Sequence, residues 1–294
     1  MNRRKIIGLL KIMFLATILV TLRSGSVWAV EPFPGDLPGV NIGGNLPAGT
    51  EPSGIVWHPR LHRYLIVSDN GFLYEMDTNG VLTDSDYAGG DLEGICIADS
   101  ESDFVYLGIE TPVGTPEEVR EFNFVTDTLT GRIFVLTEMD NTVVNKGLEA
   151  LEFVPGADPE GIESGLFYAG LQQNGYIFRF RLPIAHPSNP VQYISTIMPG
   201  RSDIAGMHYH FGNSTLYVVF DGANVIRSMT KDGSMITEWE LPGNEQEGIT
   251  IVNNIDLVIT EDTPAKVMLY TDFGPGPRLQ LLPWPAPALI NNSD

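Results

Sequence analysis

One five-residue phrase recurs along this chain at intervals that few architectures can accommodate. It reads EPSGI at 51–55, DLEGI at 91–95, GLEAL at 147–151, DIAGM at 203–207 and EQEGI at 245–249. The central residues are 40, 56, 56 and 42 positions apart, and each interval holds short apolar runs separated by turn residues. Repeats of this length, each built of short strands, are typical of β-propellers. The sequence therefore predicts an all-β propeller of four-stranded blades, with five blades favoured over six.

The chain divides into four predicted segments. Residues 1–29 are a signal peptide, 30–49 an extended lead-in, 50–282 the propeller domain and 283–294 a Pro-rich tail. The outer strand of the fifth blade comes either from 279–282 or from the lead-in near Val40. The second arrangement would pair the two ends of the domain and close the ring. Apart from the signal peptide, almost no helix is expected.

The N-terminus has the layout of an export signal. Basic residues at 3–5 precede an apolar run at 6–22, and Val27-x-Ala29 suits the small-residue rule for cleavage. This pattern predicts a periplasmic or secreted protein, with no membrane span once the signal is removed. The alternative is an uncleaved segment that anchors the protein to the inner membrane, although Lys11 splits the apolar run at a cost in a bilayer.

The balance of charge restricts the partners. The chain has 17 Lys+Arg and 37 Asp+Glu; the first 29 residues hold five bases and no acid, which leaves 12 bases against 37 acids, or about −25. Nucleic acid and anionic lipid are bound through Lys and Arg, so neither is expected as a partner. An acidic surface suits a hard cation such as calcium. The single cysteine, Cys96, excludes an intramolecular disulfide and is expected on a buried strand.

Acidic residues recur at fixed positions of the phrase. The third position is acidic in three copies, and a closed ring would bring these residues together at the mouth of the central channel: Glu93, Glu149 and Glu247. Acids also stand two residues earlier in four copies: Glu51, Asp91, Asp203 and Glu245. A second acidic series ends the second strand of most units: Asp69, Glu110, Asp221 and Glu261. The third unit has Gln172-Gln173 instead.

Carboxylates gathered in one mouth raise one another's pKa, and a bound cation removes the repulsion. Calcium fits best because it accepts many oxygen ligands in loose geometry, whereas one Cys and scattered His residues disfavour zinc. We therefore expect a calcium site formed by Glu93, Glu149, Glu247, Asp91 and Asp203. Two alternatives stay open: the carboxylates only hydrogen-bond the loop amides of adjacent blades, or they carry out acid–base catalysis directly.

Further residues near the phrases are candidates for ligand contacts. Lys146 and Arg201 are the two bases beside phrases, and His208 follows DIAGM on a strand that it shares with His210. Two histidines on a strand are more often packing residues than a metal pair. The remaining ligand-contact candidates are the second acidic series, Asp69, Glu110, Asp221 and Glu261. The sequence has no nucleophile elbow, phosphate loop or His-Glu-x-x-His motif, so no catalytic residue is assigned.

The order of PSGI, DLEGI, NKGLE at 145–149, DIAGM and QEGI resembles the SdiA-regulated family, also called YjiK/CarP-like. The resemblance runs from about Leu46 to Phe273 and is most specific at NKGLE. It implies an exported bacterial β-propeller that is associated with calcium and with phytase-like or esterase-like activity. The chain departs from this pattern at Gln172-Gln173, in its acidity, and in lacking a Lys/Arg cluster near the mouth.

Two functions follow as hypotheses. The first is an exported, monomeric binding module that holds calcium at its acidic mouth and takes a small molecule or a protein ligand there. The second is a calcium-dependent phytase-like or esterase-like hydrolase in the same mouth. A phosphoesterase needs cations to hold phosphate, and calcium, Lys146 and Arg201 would have to supply them. This scarcity of bases favours the binding module.

Overall fold

Five four-stranded antiparallel sheets make up residues 29–274, the part of the chain that the structure, a computed structural model, describes. They form a five-bladed β-propeller, as the repeat predicts, with two short 3₁₀ turns, Phe211–Asn213 and Asp221–Ala223, as the helical elements of that part. The predicted signal peptide, apart from Ala29, and the predicted tail lie outside the described residues. No helix within 29–274 has the length and apolarity to cross a membrane.

The strands follow one another from the inner to the outer edge of each blade. The lead-in carries β1 (Val40–Asn41). Blade one holds β2 (Pro52–His58), β3 (Arg63–Ser68), β4 (Phe72–Met76) and β5 (Leu82–Tyr87). Blade two holds β6 (Asp91–Cys96), β7 (Phe104–Glu110), β8 (Glu117–Asn123) and β9 (Thr128–Leu136). Blade three holds β10 (Leu148–Pro155), β11 (Gly165–Leu171), β12 (Tyr176–Arg181) and β13 (Gln192–Ile197). Blade four holds β14 (Ile204–His210), β15 (Thr215–Phe220), β16 (Val225–Thr230) and β17 (Met235–Glu240). Blade five holds β18 (Gln246–Val252), β19 (Asp256–Glu261), β20 (Lys266–Tyr270) and, at its outer edge, β1.

Burial along each blade follows the sequence pattern. In blade four, the TLYVVF run of β15 is buried at every position, because both of its faces pack against neighbouring blades. The outer strand β17, MITEWE, alternates between exposed and shielded positions. Turn residues separate such strands, and Gly80 in the turn after β4 has a φ of +79°, which favours glycine. Uniformly apolar runs thus become inner strands and alternating runs become outer strands.

The hydrophobic core is divided among the seams between blades. Each of five buried clusters combines side chains of two adjacent blades. In one of them, Cys96 of blade two packs with Leu151 and Phe153 of blade three. Cys96 is fully buried, as expected, and burial raises the pKa of its thiol. Its position therefore serves packing.

Each phrase forms the start of an inner strand and contains a bulge. In all five blades, the register with the second strand shifts at the phrase, for example between Leu92 and Gly94. A bulge re-aims the extra residue, here the third residue of the phrase, away from the ladder. The following small residue is required by close packing, since a Cβ at Gly94 would lie 2.8 Å from the Cβ of Leu151. The repeated phrase is thus the joint of the ring.

The lead-in closes the ring. Val40 and Asn41 pair with Leu269 and Met268 of β20, and the Ile42 amide donates to the Val267 carbonyl at 2.8 Å. Of the two predicted sources for the fifth outer strand, the structure has the lead-in, whereas 279–282 lies outside the described residues. The predicted lead-in is therefore part of the last blade, because the edge of β20 needs a partner for its backbone groups.

Candidate functional site

The five phrases surround a narrow central channel. Its walls include Glu93, Glu149 and Ala205, together with the small and apolar residues that follow them. Both glutamates are buried, at 8% and 7% exposure. The free volume at this level is about 10 Å³, close to the minimum for a single water molecule. The channel therefore admits nothing larger than a water or a bare ion at the level of the glutamates.

The ring brings the three predicted glutamates into electrostatic contact. Burial raises the pKa of Glu93 well above its ordinary value, and the charges of Asp91 and Glu247 raise it further. Burial also raises the pKa of Glu149, with added repulsion from Glu93 and Glu247. For Glu247, burial comes first and the charges of Asp221 and Asp262 follow. The equivalent positions in the repeat thus converge as predicted.

Within this mouth, three carboxyl groups come close enough to share one cation. Asp91, Glu93 and Glu110 each offer an oxygen, and these oxygens lie within 4.8 Å of one another. Asp91 faces Glu110 across the ladder of β6 and β7, and the bulge turns Glu93 towards them. The charges that shift the pKa values of these three groups are those of other carboxylates. We call these three residues the mouth triad.

Glu110 also has a joint-like role. Its Oε1 accepts a hydrogen bond from the Gly147 amide at 3.1 Å, which links blade two to blade three. The Ser53 side chain of blade one opposes the rise in the pKa of Glu93. Burial raises the pKa of Glu110, and the hydrogen bond from the Gly147 amide opposes that rise. Part of the triad therefore hydrogen-bonds an adjacent blade, as one of the two alternatives expected. This hydrogen bond leaves other carboxylate oxygens of the triad available for a cation.

Blade one extends the acidic mouth next to the triad. Burial raises the pKa of Asp69 to about 7, aided by a hydrogen bond to the Glu51 side chain and by the charges of Glu51 and Asp91. Within the described part of the chain, Asp69 Oδ1 is buried without a hydrogen-bond partner. A buried oxygen acceptor without a donor is costly, so a cation or a donor at this position would stabilise it.

Blades four and five form the opposite side of the mouth. Asp203 accepts a hydrogen bond from Lys146 Nζ at 2.9 Å, and its φ of +64° places it in the left-handed region. Asp221 Oδ1 accepts from the Gln246 amide at 3.0 Å. Lys146 therefore lies at the mouth, as predicted, but is paired with Asp203. Asp203, a predicted metal ligand, lies on this side and not in the mouth triad.

The predicted second acidic series is out of register in blade five. The Asp262 amide donates to the Glu245 carbonyl, as the Asp69 amide does to Glu51 and the Asp221 amide to Asp203. Glu261 is one residue earlier, opposite Gln246, and its buried carboxylate is paired with Lys266. The equivalent of Asp69 and Asp221 is therefore Asp262, which the sequence reasoning missed because two acids stand side by side.

Two other candidates lie away from the mouth. The Arg201 guanidinium is bound by the buried Glu238 carboxylate of the outer strand β17, which also binds Arg227. His208 Nδ1 lies 3.7 Å from the Glu152 carboxylate, and burial lowers the pKa of His208 to about 3. Glu152 is fully enclosed, which raises its pKa to about 8. The partner of Arg201 is 37 positions away, so no local motif indicated this pairing.

The break in the acidic series at blade three has a structural counterpart. The Gln172 side-chain amide nitrogen, in the orientation that satisfies its contacts, lies 3.2 Å from Glu149 Oε1 and 2.9 Å from the Asn145 carbonyl. A neutral donor thus stands where the other blades have a carboxylate. In blade five, Asp262 stands at the position that Gln172 occupies in blade three. Glu149 therefore has a hydrogen-bond donor beside it, whereas the equivalent Glu247 has a carboxylate.

Fold and site together define a five-bladed β-propeller with an acidic channel mouth. A glutaminyl cyclase from Myxococcus xanthus is similar in structure, with a TM-score of 0.53, 10% identity, and coverage of 79% of this chain and 94% of that one. A functionally unknown protein from Desulfotomaculum acetoxidans has a TM-score of 0.45 at 8% identity, over 74% of this chain and 64% of that one. At 10% identity the likeness to the glutaminyl cyclase concerns the fold alone.

No protein-family model and no curated protein matches the chain. The resemblance to the SdiA-regulated family therefore stays a prediction. The chemistry of the mouth nevertheless fits calcium, because its donors are carboxylate oxygens and Asp69 Oδ1 is buried without a partner among the described residues.

Proposed function

We propose that this protein is a binding module that holds Ca²⁺ at the mouth of its propeller. The carrying observation is the mouth triad, Asp91, Glu93 and Glu110, whose oxygens lie within 4.8 Å of one another. Charges this close repel strongly in a partly desolvated site, and a divalent cation converts the repulsion into attraction. Calcium suits the site better than magnesium, because it accepts carboxylates in flexible geometry.

Neighbouring carboxylates support the triad. The charge of Glu247 raises the pKa of Glu93, and the charge of Glu93 raises the pKa of Glu149. Both residues therefore add to the negative electrostatic potential at the triad, even where they do not contact the cation. Asp69 interacts electrostatically with the triad, because the charge of Asp91 raises the pKa of Asp69. Asp203 lies on the opposite side of the mouth, where it forms an ion pair with Lys146. The predicted ligand set is thus narrowed to the triad, with the other acids around it.

The exposed rim suits a ligand that completes the coordination of the cation. Asp91 and Glu51 are exposed, whereas Glu93 and Glu149 are buried. A small molecule or protein segment with an oxygen donor could therefore reach the cation from solvent. The resemblance to the SdiA-regulated family and the N-terminal signal pattern support an exported protein with this role.

The alternative, a phytase-like or esterase-like hydrolase, receives less support. It required Lys146 and Arg201 to hold phosphate, but Asp203 pairs with Lys146 and Glu238 pairs with Arg201. Binding phosphate through Lys146 would break its ion pair with Asp203, and Arg201 is held away from the mouth by Glu238, which also binds Arg227. The mouth therefore repels a phosphate ester more than it attracts one.

Isothermal titration with CaCl₂ tests the proposal. The wild-type protein should bind calcium, and Glu110→Gln should weaken binding by at least tenfold because it removes one of three charged ligands. Asp86→Asn is the matched control, since Asp84 and Asp86 of the outer strand of blade one and Asp127 of the β8–β9 turn of blade two form a carboxylate group of similar dimensions away from the mouth. If Asp86→Asn abolishes binding and Glu110→Gln does not, the proposal is wrong.

A further inference from the structure

A recess opens beside the mouth where the ring closes. It lies between residues 46–51, which connect the lead-in to blade one, and residues 262–265, the β19–β20 turn of blade five. Its volume is about 420 Å³, within the range of about 300–1,000 Å³ that small-molecule sites occupy. It contains none of the mouth triad, so it is separate from the proposed calcium site.

The walls of the recess are apolar and one end is acidic. Leu46, Pro47 and Ala48 form one wall, and Pro264 and Ala265 belong to the other. The acidic end holds the two carboxylates of the lining, Glu51 and Asp262. Among the ion pairs of the described residues, none involves either carboxylate. The lining therefore favours a cation attached to an apolar body.

One oxygen at this end has no donor. Asp262 Oδ1 is buried, and within residues 29–274 it has no hydrogen-bond partner. The charges of Glu51 and Glu245 act on the same carboxyl group, so the field around it is negative. A buried acceptor in a negative field is best satisfied by a positively charged donor. An anionic ligand would meet repulsion at the same point.

The wall that carries Leu46 and Pro47 is held in place by hydrogen bonds. The Thr50 amide donates to the Pro47 carbonyl at 3.1 Å, and Asn70 Nδ2 donates to the Gly49 carbonyl at 3.1 Å. The Glu51 amide donates to Ser68 Oγ at 3.2 Å. A site built in advance avoids part of the ordering cost of binding. The recess is therefore formed before any ligand arrives.

Size and chemistry distinguish the occupant. A lone metal ion would leave the apolar walls uncovered, and no group of three metal-ligating side chains in the described chain includes Glu51 or Asp262. A primary ammonium brings three donors on one charged atom, and its alkyl chain can cover the prolines and Leu46. We propose that this recess binds an organic ammonium, a primary amine carried on a short apolar chain.

A titration with n-hexylammonium, followed by ligand-observed NMR in EDTA, tests this proposal. The matched probes are 1-hexanol and hexanoate, which keep the chain and change the charge of the head group. Hexylammonium should bind at least tenfold more tightly than either. Equal binding of hexanol would show that the recess recognises only the apolar chain and would overturn the proposal.

Variants locate the binding. Asp262→Asn should weaken hexylammonium binding at least tenfold, and Ala48→Phe, at an exposed position, should block the recess. Asp127→Asn makes the same change of charge in the distant exposed acidic group and should leave binding unchanged. Unweakened binding by Asp262→Asn, or equal weakening by Asp127→Asn, contradicts the proposed site. Glu110→Gln, which removes a carboxylate of the mouth triad outside the recess, should leave hexylammonium binding unchanged, which separates this proposal from the calcium site.

Discussion

Replacing Glu93 by Gln should change the stability of this protein in opposite directions with and without calcium. Glu93 is buried, and its pKa in the folded protein is raised well above the ordinary value of 4.5. Above the ordinary pKa, the unfolded chain loses a proton that the folded chain keeps, so the folded state is destabilised as pH rises. Below the ordinary pKa, both states are protonated and the penalty vanishes. Gln carries no such penalty at any pH.

The magnitude follows from the geometry. Each pH unit above the ordinary pKa costs up to about 1.4 kcal/mol until the folded pKa is reached, so the cost is at most about 3 kcal/mol near pH 7. Two ionised carboxylates 4.8 Å apart, the limit within the triad, would repel by about 3 kcal/mol at an effective dielectric constant of 20. The two values agree in size, so Glu93→Gln in EDTA should raise the melting temperature by roughly 6–12 °C at most near pH 7.

With calcium the sign should reverse. A ligand at 1,000 times its Kd stabilises the folded state by about 4.1 kcal/mol, which exceeds the penalty of at most about 3 kcal/mol, and Glu93→Gln would forfeit most of this gain. The assay is thermal unfolding followed by circular dichroism, from pH 5 to 8, in EDTA and in a calcium series. Asp86→Asn should keep the calcium-induced rise. If Glu93→Gln has the same pH profile as the wild type in EDTA, the buried-carboxyl argument fails.

Three other perturbations test the fold. Gly94→Ala should destabilise the protein by about 1–3 kcal/mol because of overpacking, whereas Gly44→Ala, with nothing within 4 Å of its Cβ, should be nearly neutral in the same urea titration. Glu152→Gln should flatten the loss of stability between pH 4.5 and 8, because the pKa of Glu152 is raised to about 8 by burial; melts that differ at pH 4.5 and agree at pH 8 would contradict this. Ile42→Pro removes the hydrogen bond to Val267 and should speed amide exchange along β20; unchanged exchange would show that the clasp contributes little.

Sequence reasoning recovered what the repeat encodes. The phrase predicted the number of blades and the convergence of Glu93, Glu149 and Glu247, because equivalent positions in a ring are close in space. Short apolar runs separated by turn residues were enough to predict four-stranded blades. These features depend on local pattern and on symmetry.

The features that sequence reasoning missed depend on tertiary pairing. The choice between Glu261 and Asp262 depends on the register of β18 and β19, and a shift of one residue reverses which acid faces the mouth. The attachment of Arg201 to Glu238 depends on two distant residues that meet in one blade. The recess beside the mouth depends on how the lead-in passes the turn of blade five, for which the sequence holds no repeat.

The clasp between β1 and β20 has a consequence for the order of assembly. Asn41 and Val267, which hydrogen-bond across it, are 226 positions apart, so the strand that finishes the last blade is made long before the blade itself. Because the chain is synthesised from its N-terminus, β1 must stay unpaired until nearly all of the domain has been made. The acidic groups of blades one and five meet only at that step, so their mutual repulsion opposes the final docking.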